Sequence, residues 1–263
     1  PVRGGGGPFP SSFCTSLLPS ITARELGTES SWRPRETMNI KLENVSTDDD
    51  AAGLSQVMMR AFYRDPHWRL LWGSMPLEDI IASCENRLPR NLVRGRASRR
   101  HRKAVDAVTG EVVGYARWVL PEGREDLWED ARVAEPSAQQ AARYEARYSA
   151  YMADGKIKGL NSEITESLSP LLEKTEEDIL KTGEFLALDY IAVLPSRQQQ
   201  GVGSMLVEDG LGVAEKADLP VYVMSTQTGL KLYQCHGFIT VKTVEQDDSH
   251  WGKTPYTYPK FIS

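Results

Sequence analysis

The residues best suited to chemistry form a glycine-containing turn, Gln198-Gln199-Gln200-Gly201-Val202-Gly203. The turn follows an apolar run at 185–193, which is typical of a strand and stops before Pro195, and it precedes a helical pattern. Glycine lets the backbone approach an anion closely, and a helix start offers unpaired N–H groups and about half a unit of positive charge. The spacing therefore predicts a phosphate-binding turn at a strand-to-helix junction.

The turn matches neither of two widespread phosphate-binding patterns. There is no Gly-x-Gly-x-x-Gly after an early strand, which argues against a dinucleotide-binding unit. No Gly-Lys-Ser/Thr follows the glycines, which argues against a P-loop. The three cysteines, Cys14, Cys84 and Cys235, are far apart and lack Cys-x-x-Cys spacing. They indicate a reducing, cytoplasmic location and give no metal signature.

Composition and charge limit the classes of partner that the protein is expected to bind. The 263 residues are 40% hydrophobic and 25% charged, as in an ordinary globular protein. The net charge of -5 argues against nucleic acid as the main partner. No apolar run approaches the roughly 20 residues that span a bilayer, so no membrane partner is expected.

The elements around the turn can be read from hydrophobic periodicity. Strands are predicted at 40–45, 103–108, 111–119, 185–193, 219–224, 238–243 and 256–262. Helices are predicted after Asp50 and Pro76, and at 136–153, 162–181, 202–216 and 227–235. The basic run 94–103 is interpreted as a solvated loop, with a landing site for an anion as the alternative.

Two segments are predicted to lie outside a compact single-domain core. Residues 1–37, rich in glycine, proline and serine, are predicted to be a disordered leader or upstream extension of a single domain at 38–263. Residues 121–183 are predicted to be a helical insertion. Its tyrosines, Tyr144, Tyr148 and Tyr151, are expected to pack on the sheet edge, with a lid over a substrate as the alternative.

The order of these motifs resembles the GNAT superfamily of acetyl-CoA-dependent N-acetyltransferases. The turn 198–203 is similar to that family's Arg/Gln-x-x-Gly-x-Gly/Ala signature, and Leu232-Tyr233-Gln234-Cys235-His236-Gly237-Phe238 is similar to its Leu/Phe-Tyr-x-x-x-Gly-Phe ending. The resemblance covers about residues 39–262, from which the insertion departs. Ala61-Phe62 followed by Asp65-Pro66 looks most like small-molecule acetyltransferases common in fungi and bacteria.

The resemblance implies a mixed α/β fold (α+β class) with a twisted sheet of about six or seven strands and flanking helices. It implies that the sheet splays between strands 185–193 and 219–224 and that acetyl-CoA lies in the splay. Pantetheine would pair with backbone near Ile191, Ala192 and Val193. The pyrophosphate would lie on the turn and helix start, whose members are Gln198, Gln199, Gln200, Gly201, Val202, Gly203 and Ser204.

The resemblance also assigns catalytic roles. Tyr233 takes the position of the general acid that protonates the leaving thiolate. The family's glutamate position on the strand is Ala187 here, so the sequence departs from the pattern. Asp189, which shares a strand face with Ala187, is the first candidate base or ammonium ligand, and Glu184 is the second. A water chain, or no dedicated base, stays open.

On the acceptor side, Trp68 and Trp72 are predicted to bind substrate, because the segment between the first two helices borders the acceptor site in this family; packing of a short connector is the alternative. The expected activity is acetyl transfer to a primary amine of a small molecule in a ternary complex, with no metal. Modification of a protein lysine or N-terminus is the second interpretation, and a non-catalytic acyl-CoA-binding module is the third. A monomer or a homodimer is expected.

Overall fold

The structure is a computed structural model that describes residues 39–247 and 249–263, apart from the side chains of 162 and 165–169. The predicted leader at 1–37 lies outside the described residues. Within the part that the structure describes, none of the helices has the length and apolar character needed to cross a membrane.

Nine strands, seven α-helices and four short 3-10 helices make up the regular structure of the described chain. The strands are β1 (Ile40–Asn44), β2 (Arg99–Asp106), β3 (Val112–Val119), β4 (Met152–Ala153), β5 (Lys156–Ile157), β6 (Leu186–Val193), β7 (Val221–Met224), β8 (Ile239–Gln246) and β9 (Tyr256–Ile262). The helices are α1 (Ala51–Phe62), α2 (Pro66–Leu70), α3 (Leu77–Val93), α4 (Ala138–Ala150), α5 (Ser162–Leu180), α6 (Val202–Ala217) and α7 (Leu230–Cys235). Every predicted strand is present within a few residues.

A seven-stranded mixed sheet forms the centre, in the order β1-β2-β3-β6-β7-β9-β8. Only β6 and β7 run parallel, since α6 connects them as a crossover, and the other neighbours are antiparallel. The helical insertion adds a separate two-stranded ribbon, β4–β5. The predicted fold class is confirmed.

The sheet opens beside β6. Residues 186–188 pair with 221–223 of β7, and the pairing stops there, although β6 continues to Val193. On the other side, Arg117 lies opposite Tyr190 and Trp118 lies opposite Leu188, which leaves Asp189 as the extra residue of a bulge. A bulge bends a strand and increases its local twist. The second half of β6 therefore diverges from β7 and leaves a gap in the sheet.

Helix α6 lies against the sheet at a glycine. A Cβ atom on Gly210 would lie 2.1 Å from Trp118 Cζ2, so the indole, which is fully buried, occupies the space that a side chain would need. This close contact sets the distance between α6 and β3. It thereby helps to fix the N-terminus of α6 beside the gap.

Gly210→Ala is expected to destabilise the protein by about 2–3 kcal/mol, because the methyl group has to displace a buried indole. Gly212→Ala is the matched control on the same helix, since a Cβ there meets nothing within 4 Å. The control should gain roughly 0.5–1 kcal/mol from helix propensity. Chemical denaturation of both variants tests this, and equal free energies of unfolding would contradict the packing described.

The interpretation of residues 94–103 as a solvated loop is confirmed for 94–98, which form a turn between α3 and β2, and is wrong for the rest. From Arg99 onward the run belongs to β2, and Arg100 is fully buried. Its guanidinium donates to the carbonyl oxygens of Glu125, Leu127 and Ala97, at 2.6, 2.8 and 2.9 Å. Carbonyl oxygens thus replace the water that the charge would otherwise require.

The insertion packs differently from the prediction. Helix α4 lies on α3 and not on the sheet edge: Arg90 of α3 lies 4.1 Å from the Tyr148 ring and 2.9 Å from Glu145. Tyr151 accepts a hydrogen bond from Asn86 at 3.2 Å. The tyrosine spacing was a correct sign of one packed face, but periodicity does not say which element that face meets.

Candidate active site

The gap beside β6 widens into a cleft of about 990 Å³. Four parts of the described chain line it. They are residues 61, 62 and 64–67 between α1 and α2; 188–193, 195, 198, 199, 201, 203 and 204 of β6 and the turn; 223–229 and 231–233 from β7 to α7; and 254–256 before β9. Most of the predicted site residues therefore meet in one place.

The glycine turn has the backbone that its sequence predicts. Gly201 has φ +90°, a conformation that favours glycine, and is the N-cap of α6. The first bond of the helix runs from the Met205 N–H to the Gly201 carbonyl at 3.0 Å. The N–H groups of 202–204 consequently precede the helical ladder and have no partner within it. Such amides at a helix start could hold an anion beside the cleft.

Gly203 keeps the cleft open between β6 and α7. A Cβ atom there would lie 3.3 Å from Leu232 Cδ2 and 3.9 Å from Val193 Cγ2, and both of these residues line the cleft. A larger side chain would extend into the strip of the cleft that lies between Val193 and Leu232. Val202, in contrast, is buried against Gly114, so only its backbone can serve a ligand.

The β6 backbone presents a hydrogen-bonding edge to the cleft. The Leu194 N–H donates to the Val113 carbonyl at 2.9 Å, and such bonds alternate along an antiparallel pair. Hence the N–H and C=O of Val193 and Ile191 point away from β3, into the gap. The Val193 carbonyl accepts a bond from Gln198 Nε2 at 3.1 Å.

The glutamines mainly support their own turn. Gln198 bonds Val193, and Gln200 Nε2 donates to the Ser196 carbonyl at 2.8 Å. Gln200 does not contribute to the cleft lining, whereas Gln198 and Gln199 do. Gln199 has φ 59°, so the turn bends sharply just before Gly201.

Tyr233 reaches the cleft from α7. It is 3% exposed, and its ring lies edge-on to Phe238 at 5.6 Å and tilted to Phe261 at 5.8 Å. Burial raises the pKa of this phenol well above its ordinary value. The hydroxyl is therefore protonated at any physiological pH and can donate.

The two candidate bases are separated. Asp189, at the bulge, lines the cleft and pairs with Arg117, whose Nε lies 2.5 Å from Oδ2. Glu184 does not line the cleft: its side chain is 64% exposed and lies 3.6 Å from Arg124.

The two predicted substrate tryptophans also lie off the cleft. Trp68 and Trp72 are four residues apart, so they share one side of the chain as it turns through α2, and their rings lie 5.8 Å from each other. Trp72 is buried in the core. The same segment does line the cleft, through Phe62 and residues 64–67.

A hydrogen bond joins the two sides of the cleft. One oxygen of Asp65 accepts from the N–H groups of His67 at 2.8 Å and Trp68 at 3.1 Å, which caps α2. Its other oxygen accepts from the Tyr256 hydroxyl at 3.0 Å. The His67 ring lies 4.3 Å from the Tyr256 ring. The sequence analysis missed Tyr256, because no local signal links β9 to the α1–α2 connection.

The sequence profile of the Acetyltransferase (GNAT) family matches residues 68–238. That segment is well over half of the chain and carries the turn, β6 and Tyr233. The chain belongs to the GNAT acetyltransferase family. That family is one of acetyltransferases.

Solved structures with the GNAT fold cover most of the chain. A structure described as histone acetyltransferase HPA2 and related acetyltransferase, from Corynebacterium glutamicum, is 20% identical with a TM-score of 0.50, covering 85% of this chain and 96% of that one. The C-terminal condensation domain of Ebony is 13% identical with a TM-score of 0.54, covering 86% and 99%. The polyamine N-acetyltransferase of Drosophila melanogaster is 15% identical with a TM-score of 0.50, covering 86% and 99%. These likenesses concern the fold alone.

One curated relative shares a shorter segment with this GNAT chain. The probable acyltransferase SID5 of Ajellomyces capsulatus is 36% identical over 66 residues, which are 25% of this chain. The match spans 48% of that protein, so the chain covers about half the length of the curated relative it matches.

GNAT enzymes use acetyl-CoA, and the residues present fit it. The turn offers amides at a helix start, Gly203 leaves the strip beside Leu232 open, and β6 presents an unpaired edge. Among the described residues, no cluster of histidine, cysteine and acidic side chains could hold a metal ion.

Proposed function

We propose that this GNAT enzyme transfers an acetyl group from acetyl-CoA to a primary amine of a small molecule, by direct attack in a ternary complex. One observation carries the proposal. The glycine turn, the unpaired edge of β6 and the buried phenol of Tyr233 line a single cleft. Those are the parts needed to hold a thioester and to protonate its leaving group.

Acetyl-CoA would be bound mainly by backbone. Its pyrophosphate would accept from amides within 199–204, where the α6 macrodipole favours negative charge. Its pantetheine arm would pair with Ile191 and Val193 like an added strand. The Gln198 side chain would then have to release the Val193 carbonyl that it bonds in this structure.

In the reaction, the amine attacks the thioester carbonyl while a β6 N–H stabilises the developing negative charge on oxygen. Tyr233 donates a proton to the thiolate as the C–S bond breaks, and the proton that the amine nitrogen loses as the N–C bond forms restores the phenol. Positioning the two substrates in one cleft supplies much of the rate.

The mouth of the cleft supports a small acceptor. The Asp65–Tyr256 hydrogen bond ties the α1–α2 connection to β9 at one wall of the cleft. Rings of Phe62, Tyr190, His67 and Tyr256 line this side, which suits an amine with an apolar or aromatic body. The insertion plays no part in this argument, because no described residue of 121–183 lines the cleft.

Release of free thiol from acetyl-CoA tests the proposal, with aryl-alkyl amines, polyamines, aminoglycosides, amino acids and a lysine peptide as acceptors. Saturable release with a small amine is expected. Release with the peptide alone would contradict the small-molecule acceptor and favour a protein substrate. Tight acetyl-CoA binding without release from any acceptor would contradict catalysis and favour an acyl-CoA-binding role.

A further inference from the structure

Two carboxylates line the described cleft, and their charges are balanced differently. Asp189 is neutralised by Arg117, whose Nε lies 2.5 Å from its Oδ2. Asp65 is half-buried, and no cationic side chain of the described chain forms an ion pair with it. The negative charge of Asp65 is therefore the one at this wall that protein cations leave uncompensated.

The hydrogen bonds of Asp65 orient its carboxylate without cancelling the charge. One oxygen accepts from the backbone N–H groups of His67 and Trp68, and the other accepts from the Tyr256 hydroxyl. Burial raises the pKa of that phenol, so it donates as a neutral group. A carboxylate has about four acceptor sites, and three are occupied here. The remaining site is on the oxygen that faces Tyr256, a cleft-lining residue.

Aromatic rings lie beside this carboxylate. The Asp65 N–H donates to the Phe62 carbonyl at 2.9 Å, which holds the two residues in one tight turn. The Phe62 ring lies edge-on to Tyr190 at 5.6 Å, and both line the cleft with Tyr256. The faces of such rings attract cations, and their apolar bodies pack against methylene groups. A carboxylate among aromatic rings suits an alkylammonium group.

The cationic side chains along the same lining are exposed. Arg64 and Lys231 both line the cleft, and both belong to the exposed residues of the described chain. Water and salt screen exposed charges strongly, whereas a half-buried charge is screened less. These two residues therefore reduce the attraction of Asp65 for a cation without replacing the missing ion-pair partner.

We propose that Asp65 anchors a second, positively charged group of the acceptor, so that the preferred acceptors are diamines and longer polyamines. This inference rests on the proposed function and names its substrate class. The anchored group is not the attacking amine, because an ammonium has no lone pair with which to attack the thioester. It keeps its protons at Asp65, while the other amino group, unprotonated, forms the N–C bond as the C–S bond breaks. The methylene chain between them would contact the rings.

Matched acceptors test the anchor. A series of short α,ω-diamines is compared with the monoamines of the same chain length. In the wild type, the best diamine should have a kcat/KM about 10-fold or more above that of its monoamine, because the monoamine lacks the charge-assisted hydrogen bond. The difference should lie mainly in KM and should shrink as salt is added.

Asp65→Asn removes the charge and keeps an N-cap for α2, since asparagine caps helices as well as aspartate does. The diamine-to-monoamine ratio of kcat/KM should fall to about one, with the Kd for acetyl-CoA and the Tm close to wild type. Asp65→Ser, another capping residue, should lose the same preference. Asp79→Asn is the matched control, because Asp79 is exposed in the first turn of α3 and off the cleft, and it should keep the preference.

Three results would overturn the anchor. A wild type that acetylates monoamines as well as diamines would remove it and leave the proposed function standing. Asp65→Asn and Asp65→Ser enzymes that slow both kinds of acceptor equally would indicate that Asp65 only supports the α2 cap. A wild type that binds acetyl-CoA and acetylates no amine would overturn the proposed function, and the anchor with it.

Discussion

Tyr233→Phe is expected to lower kcat by about two to four orders of magnitude, the range that loss of a general acid produces, and to leave the Kd for acetyl-CoA unchanged. The ring keeps its contacts with Phe238 and Phe261, so only the donor to the leaving thiolate is lost. Steady-state kinetics with a responsive amine and calorimetric titration of acetyl-CoA measure the two effects separately.

Tyr222→Phe is the matched control for that variant. Tyr222 is also buried, but it lies on β7 and does not line the cleft. Its loss should leave kcat unchanged. Because burial raises the pKa of Tyr233, the wild type should also keep its activity to pH values at which an exposed phenol would ionise. A Tyr233→Phe enzyme with wild-type kcat would remove the general acid from the mechanism.

The second large effect concerns binding of acetyl-CoA. Gly203→Leu is expected to raise its Kd by about 100-fold or more, which corresponds to roughly 2.7 kcal/mol. The added side chain has to occupy the strip between Val193 and Leu232, where even a Cβ atom would lie 3.3 Å from its neighbour. The same strip is where the pantetheine and pyrophosphate are proposed to lie.

Gly212→Leu is the control for this substitution, since it places the same side chain on the same helix in open space. It should bind acetyl-CoA as the wild type does. Thermal melts of both variants separate lost binding from lost folding. If Gly203→Leu folds and keeps wild-type affinity for acetyl-CoA, then the ligand does not use this strip.

The strand, turn and helix proposed to hold the cofactor are predictable because their information is local. An apolar strand, a Gln-x-x-Gly-x-Gly turn and an amphipathic helix lie consecutively at 185–217, and the physics of each is set by neighbouring residues. Tyr233 follows from a short motif of the same kind. The positive φ of Gly201 is the conformation that such a turn requires.

The acceptor half depends on contacts that periodicity cannot reveal. Asp65 and Tyr256 meet across 191 positions of sequence, and the bulge that places Asp189 beside Arg117 depends on the register of β3 against β6. Trp68 and Trp72 are an error of the opposite kind, since both were predicted to lie in the site. Their type suggested a binding wall, but neither residue lines the cleft, and Trp72 is buried in the core.

The other wrong prediction concerns a buried positive charge. A run of arginines is usually solvated, so residues 94–103 were expected to lie in a loop. Arg100 is instead surrounded by backbone carbonyl oxygens from the following loop, including those of Glu125 and Leu127. Composition alone does not predict that a later segment will supply those acceptors.

The central claim is tested most directly by mass analysis of the acceptor together with a count of free thiol in the same reaction. The account predicts one acetyl group on the amine nitrogen for each thiol released, with no acetylated protein when the amine is omitted. Thiol release without an acetylated amine, or an acetyl group carried on the protein before the amine is added, would contradict direct transfer in a ternary complex.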